Sequence, residues 1–324
     1  MNDAALLEVR DVHVQFKARR GVARAVDGVN LEMRSGEVLA LVGESGCGKT
    51  TLARTIIGLE RPLSGEVLVR GETLRHDRRS LRKHRSAAQL IFQDPAGALN
   101  ARQTIYEAVA EGLRIQRVRG DEEALVAEAL SRAGLRPPER FFTSYPYELS
   151  GGQRQRVIIA GAMVLEPSLL VADEPVSSLD ASVRGEILAL MLELVRETQV
   201  GILVVTHDLG LAWNIANRVA VMYLGRIVEE GPTEELLTSP KHPYTQALLS
   251  VVPELQEMEQ QILTGEAPDP TRIPSGCRFH PRCPLLESGE AARLGIEEQC
   301  RGDDPQFLPA CHAVEPATVP IESP

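Results

Sequence analysis

From Gly36 the chain reads GEVLALVGESGCGKTTLARTIIGL, and no other stretch restricts its fold as strongly. Val38 to Val42 is a continuous apolar run of strand length, and Thr51 to Ile57 continues with helical character. Between them, Gly43 to Thr50 satisfies G-x-x-x-x-G-K-[ST] in full, with Gly43, Gly46, Gly48, Lys49 and Thr50 on its key positions. Glycines there let consecutive backbone N–H groups turn inward, and the following helix start adds the positive end of its dipole, so the turn suits a phosphate chain. Lys49 is placed to reach terminal phosphates and the Thr50 hydroxyl to ligate Mg²⁺. Glu44, Ser45, Cys47 and Thr51 complete the expected binding set, with Cys47 a small filler rather than a reactive thiol.

Two further apolar runs end in polar residues. The run from Ser168 through Leu169, Leu170, Val171 and Ala172 stops at Asp173 and Glu174. Side chains alternate along a strand, so the two acids need not share a role. Beside a phosphate loop, Asp173 suits the Mg²⁺ shell and Glu174 the polarisation of a water. A third run, from Gly201, is followed by His207, and the strands Val38 to Val42, Leu169 to Ala172 and Ile202 to Thr206, separated by helical segments, predict a mostly parallel α/β sheet with ligands at its carboxyl edge. Between the first two strands, Ala124, Leu125, Ala129, Leu130 and Ala133 recur at helical spacing ahead of Gly134, which predicts a helical subdomain over about 94–165. Near its end, Ser150, Gly151 and Gly152 precede a helix and form a second candidate nest of N–H donors, although Ser-Gly-Gly also serves as a plain linker or cap.

Composition excludes several other classes. The 324 residues are 43% hydrophobic and 25% charged, enough to build a core without disulfides. With 35 Lys+Arg against 45 Asp+Glu the formal charge is −10, which disfavours broad binding to nucleic-acid backbones. No run reaches the ~20 apolar residues of a membrane-crossing helix, and the N-terminus lacks a signal-peptide pattern, so an unprocessed cytoplasmic chain is expected. Arg75 to Arg85 carries six Lys/Arg and reads as a solvated segment, with contact to a membrane partner the alternative.

Taken in order, the phosphate loop, IFQDP from Ile91, LSGGQ at Leu149 to Gln153, VADEP, SSLD and the Thr206–His207 pair resemble the ATP-binding cassette (ABC) ATPases from about Leu7 to Pro253. That resemblance implies a cassette with a parallel core sheet, N-terminal antiparallel strands and a helical subdomain. It also implies ATP and Mg²⁺ as ligands. Gln93 would contact metal or water, with Thr50 and Asp173 holding Mg²⁺, Glu174 the general base, His207 the switch histidine and Ser178 to Asp180 a loop at the dimer interface. Phe16 would stack on adenine, or else be a strand-core aromatic. Two cassettes would pair head to tail, so that the surface of Ser150, Gly151, Gly152 and Gln153 completes the partner's ATP site. The string PKHPYTQALLSVVP at 240–253 is similar to the end of the cassette in oligopeptide/dipeptide importers, with DEPVS and Gln153 leaning to the second of their two ATPase types. Expected partners are a second ATPase subunit, two permease subunits at the cytoplasmic face of the membrane and an extracytoplasmic solute-binding protein. Nickel or an oligosaccharide is the alternative cargo, and a non-transport cassette the rival function.

A boundary is expected near 252/253. Of 21 prolines, 11 lie in the last 72 residues, together with Cys277, Cys283, Cys300 and Cys311. A cytosolic chain rarely uses such cysteines for disulfides. Four thiolates in a poorly core-forming segment suggest metal, zinc or iron, with unoccupied thiols the alternative. Similar tails in peptide-importer ATPases imply a [4Fe–4S] cluster.

Overall fold

The computed structural model describes residues 5–19, 21–92, 95–251, 268–306 and 308–314. The 252/253 boundary and Gln93 lie outside the described residues.

The N-terminal strands β1 (Leu7–Ala18) and β2 (Gly21–Met33) form a long antiparallel hairpin, extended by β4 (Ser64–Val69) and β5 (Glu72–Thr73) into a sheet ordered β2-β1-β4-β5. The remaining strands, β3 (Val38–Val42), β6 (Ala88–Ile91), β7 (Leu169–Asp173), β8 (Gly201–Thr206), β9 (Arg218–Tyr223) and β10 (Arg226–Pro232), form the second sheet in the order β10-β9-β3-β8-β7-β6. Every pairing in it is parallel except the edge hairpin of β9 and β10. This is the expected α/β cassette, with β3 as foreseen and β7 and β8 each one residue longer.

Continuous apolar strands are those covered on both faces. Leu39, Leu41, Leu169, Val171, Leu203 and Val205 point toward the antiparallel sheet and pack around Leu52, Ala53 and Ile56 of helix α1 (Lys49–Ile56). Their alternates Leu170, Ala172, Ile202 and Val204 face the other way, into a core shared with the helical subdomain. The first sheet adds Leu7, Val9, Val12 and Val14 of β1, Val26, Val29, Leu31 and Met33 of β2, and Val67 and Val69 of β4 to the core around α1, and the pairing of β1 with β2 carries register shifts.

Helix α2 (Arg78–Ala87) is capped by Asp77, whose carboxylate accepts from Arg79 N and Ser80 N. It holds most of the basic run, and its charges go to local partners: Arg82 to the Gln116 carbonyl, Lys83 to Glu72, and Arg85 to the Gly58 carbonyl. After the single turn α3 (Pro95–Ala98) come α4 (Ile105–Gln116), α5 (Glu122–Arg132), α6 (Glu139–Phe142) and α7 (Gly151–Met163). Val109, Leu113, Val126, Leu130 and Val157 knit α4, α5 and α7 together. Thr104 with Glu107 caps α4, and Asp121 caps α5. Helices α8 (Ala181–Thr198), α9 (Leu209–Ile215), α10 (Thr233–Thr238) and α11 (Pro243–Ser250) complete the cassette, and the tail adds the short α12 (Pro284–Glu287), α13 (Glu290–Arg293) and α14 (Glu297–Gly302).

The tail packs back onto the cassette. Phe279 is fully buried against Tyr223 and Tyr244, with ring centroids 5.3 and 5.4 Å away. Arg24 N donates to the Pro270 carbonyl at 3.1 Å and Ala310 N to the Val228 carbonyl at 2.7 Å. Arg226 pairs with Asp304 at 2.8 Å.

Candidate active site

Residue 42 of β3 pairs with Thr206 of β8, and Val205 of β8 with Asp173 of β7, so three strands deliver their C-terminal ends to one edge. A cavity of about 640 Å³ opens there. Gly43, Glu44, Ser45, Gly46 and Gly48 line it, as do Lys49, Thr50 and Thr51 from the start of α1. Asp173, Glu174 and His207 form its opposite wall.

The loop is threaded tightly. Gly43 has φ +152°, and a Cβ on it would stand 2.2 Å from the Met222 carbonyl oxygen. Gly48 has φ +113°, and its Cβ would stand 2.0 Å from the Ala25 carbonyl oxygen. No L side chain fits at either place, which is the physical content of those two glycines. Lys49 is only 6% exposed. Its ammonium donates to the carbonyls of Gly43 at 2.6 Å and Glu44 at 2.9 Å, a charge held by the loop it serves. Cys47 is buried with its Sγ 3.8 Å from Lys49 Nζ; it does not line the cavity, and burial pushes its thiol pKa up. That fits a filler rather than a nucleophile.

In the same cavity the Thr50 hydroxyl donates to Asp173 Oδ1 at 3.3 Å. Burial, with the neighbouring Glu174 charge adding to it, pushes the Asp173 carboxyl above its usual range, while the Thr50 hydrogen bond opposes the shift. A hydroxyl and a strained buried carboxylate side by side are hard oxygen donors of the kind Mg²⁺ takes, so these residues fit the ion. Glu174 has φ +51°, left-handed backbone that costs a non-glycine residue on the order of 1 kcal/mol. Its N–H donates to the Val205 carbonyl at 2.9 Å, and the Ser177 hydroxyl donates to its carbonyl at 3.1 Å, which hold it in that conformation. Glu174 Oε1 lies 2.7 Å from His207 Nδ1.

The signature surface stands apart from this cavity. Ser150 caps α7 in a reciprocal box: its Oγ accepts from Gln153 N at 3.2 Å, and Gln153 Oε1 accepts from Ser150 N at 2.9 Å. Gly151 and Gly152 begin the helix, and a Cβ on Gly152 would lie 2.6 Å from Val183 of α8. None of these four residues lines the phosphate-loop cavity. Asp180 is the exposed N-cap of α8 without a side-chain cap bond. Phe16 sits on β1 opposite Ala23, 39% exposed, and is not among the residues lining the cavity.

In the tail the four thiols are free. Burial pushes Cys277 up to about 12 and Cys311 to about 11, and at Cys277 each of the other three thiols adds to the rise. They therefore share one corner, yet among the described residues no group of three or more His, Cys, Asp or Glu side chains is arranged to hold a metal ion.

Two residues of this site were not foreseen. The Tyr244 hydroxyl accepts from Glu44 N at 2.9 Å, and Arg282 grips both Glu44 carboxylate oxygens, at 2.7 and 3.0 Å. The one sequence signal for them is the string CRFHPRC, in which two arginines and an aromatic stand between cysteines that a bare metal loop would not need.

Fold and site together define an ABC-type ATPase. Residues 26–177 match the family model described as ABC transporter, and 228–289 the one described as oligopeptide/dipeptide transporter, C-terminal region. The chain is 42% identical over 302 residues to the oligopeptide transport ATP-binding protein AppF of Bacillus subtilis, covering 88% of this chain and 91% of that one. It is 43% identical over 298 residues to OppF of Salmonella typhimurium, also an oligopeptide transport ATP-binding protein, covering 86% and 89%. Among solved structures it resembles cbiO1 of Clostridium perfringens (TM-score 0.65, 30% identity, 74% of this chain and 92% of that one). It also resembles the cassette MJ0796 in a dimeric post-hydrolysis state bound to ADP and Pi (TM-score 0.63, 29% identity, 70% and 98%). The chain belongs to the ATP-binding proteins of ABC transporters.

Proposed function

We propose that this chain hydrolyses ATP at the cavity above to drive import of oligopeptides or dipeptides. The observation that carries the catalytic reading is the Glu174–His207 pair, 2.7 Å apart on the wall facing Lys49 and Thr50. The peptide assignment is supported by the match of 228–289 to the peptide-transporter C-terminal region and by the names of the relatives.

In this reading the N–H groups of the loop and Lys49 bind the β and γ phosphates, Lys49 exchanging its two carbonyl partners for phosphate oxygens. Thr50 and Asp173, with Gln93, would hold Mg²⁺, which when bound neutralises charge on those oxygens. Glu174 accepts a proton from water as the water oxygen bonds to the γ phosphorus and the bond to the β-γ bridging oxygen breaks. His207, with a proton on Nδ1, donates to Glu174 Oε1 and orients it. Ser150, Gly151, Gly152 and Gln153 do not line this cavity and would instead complete a second cassette's ATP site, with Asp180 at that junction. No adenine contact is assigned to Phe16.

Among the described residues no helix is long and apolar enough to cross a membrane, which accords with docking from the cytoplasmic side on two permease subunits served by a solute-binding protein. The catalytic part is residues 1–252 and the extension 253–324. Cys277, Cys283, Cys300 and Cys311 of the extension would hold a [4Fe–4S] cluster, a reading that rests on four cysteines in one short segment; the thiols, whose pKa values burial raises, would have to draw together and deprotonate to bind it. Anaerobic preparations should be brown with equimolar iron and sulfide, whereas stoichiometric zinc would reject the cluster. For the ATPase, Glu174→Gln should keep ATP binding and lower turnover by about 100-fold or more, the scale of a general base. Near-normal turnover in that variant removes Glu174 from this role.

A further inference from the structure

Glu44, the second residue of the phosphate loop, has each of its polar groups held by a different part of the chain. Its carbonyl accepts from Lys49 Nζ at 2.9 Å, and its N–H donates to the Tyr244 hydroxyl of α11 at 2.9 Å. Its carboxylate takes a two-pronged contact from Arg282 in the tail, Nη1 to Oε2 at 2.7 Å and Nη2 to Oε1 at 3.0 Å. The Arg282 side chain is 5% exposed, and the hydrogen bonds it donates to Glu44 drive its pKa up still further. Four residues earlier, Arg278 donates to the Leu224 carbonyl at 2.6 Å and to the Asp27 carboxylate on β2. Between the two arginines, Phe279 lies buried against Tyr223 and Tyr244. Cys277 to Cys283 thus forms a staple with one prong on β2 and the other on the phosphate loop. Its first residue is tied to the rest of the tail by Cys277 N donating to the Cys300 carbonyl at 3.0 Å.

We propose that Arg282 is a positioning residue of the ATP site, holding Glu44 so that the phosphate loop presents its donors and neutralising a carboxylate that lines the pocket. This rests on the ATPase reading above. The physical need is plain: ATP brings several negative charges into a cavity whose wall includes Glu44. An unpaired carboxylate there would repel the phosphates through a partly desolvated medium, where charges are poorly screened. An arginine fork is suited to this, because it fixes orientation as well as charge. The effect belongs to binding, since Arg282 is not among the residues lining the cavity and acts through Glu44, which is.

The test uses the full chain assembled with its membrane partners, with ATP turnover and equilibrium binding of a fluorescent ATP analogue measured on each preparation. Arg282→Ala should raise KM for ATP by about tenfold, the scale of one charge-assisted pair, with kcat held within about threefold. Adding Glu44→Gln to that variant should bring KM back to within about threefold of the parent, because the uncompensated charge is gone. A purely structural role predicts instead a fall in kcat and folded fraction that Glu44→Gln does not repair. An unchanged KM in Arg282→Ala, or no recovery in the double variant, overturns the proposal. Should Arg282→Ala not fold, Arg282→Lys keeps the charge without the fork and should show a rise of about threefold, and an unchanged KM there is equally fatal. A parent protein that neither binds nor cleaves ATP sinks the function itself, an outcome distinct from all of these.

Discussion

At the scale of single residues, the site is a set of charges that the apo protein holds against their own preference. Lys49 spends its hydrogen bonds on loop carbonyls, Glu174 sits in left-handed backbone, and Asp173 is buried with a raised pKa. The sign of the last is informative. A carboxyl whose folded pKa exceeds the unfolded value binds protons more readily when folded, so its ionised form costs stability above that pKa and the cost fades as pH falls through it. Asp173→Asn should therefore raise the Tm of the nucleotide-free protein, since the amide keeps an acceptor for Thr50 and discards the buried charge. The same variant should lose the stabilisation by Mg²⁺–ATP that the parent shows in a thermal melt. A lower Tm without ligand would contradict the burial argument. The positions of Asp173 and Glu174 were legible because they follow an apolar run, and that of Lys49 because it closes the glycine loop; a strand end in a parallel sheet is where ligands gather. Phe16, by contrast, stands within a strand rather than at the end of one, opposite Ala23, and is not among the residues lining the cavity.

At the scale of elements, caps and alternation decided most of the boundaries. Ser150 and Gln153 close a reciprocal box at the start of α7, and the helix begins where LSGGQ suggests. The junction of α11 with the tail was not legible, and it carries its own chemistry. His242 is fully buried: its Nδ1 accepts from Tyr244 N at 3.0 Å, so Nε2 carries the proton and donates to the Ala310 carbonyl at 3.2 Å. Burial lowers its pKa from 6.5 to about 4. Between those values the unfolded or undocked chain binds the proton and the docked one does not, so docking weakens as pH drops from about 6.5 toward about 4. Hydrogen exchange of segment 268–314 should quicken across that window before the core strands do. Uniform exchange over the whole chain would show that the tail and cassette unfold together and that His242 sets no separate step.

At the scale of the molecule, the proposed use of the Ser150 surface to complete a second cassette's ATP site predicts that the Glu174→Gln variant accumulates as an ATP-held pair. Sequence alone determined the sheet, its functional edge and the order of the chemical residues, because apolar periodicity and the phosphate loop are local patterns read within a few residues. Tertiary structure alone decided that the tail reaches the phosphate loop. Arg282 meets Glu44 across 238 residues and Arg278 meets Asp27 across 251, and no local pattern records such a partner. The pairing exists because burying Phe279 against Tyr223 and Tyr244 carries both guanidinium groups to carboxylates, which then supply the counter-charge that a buried arginine requires.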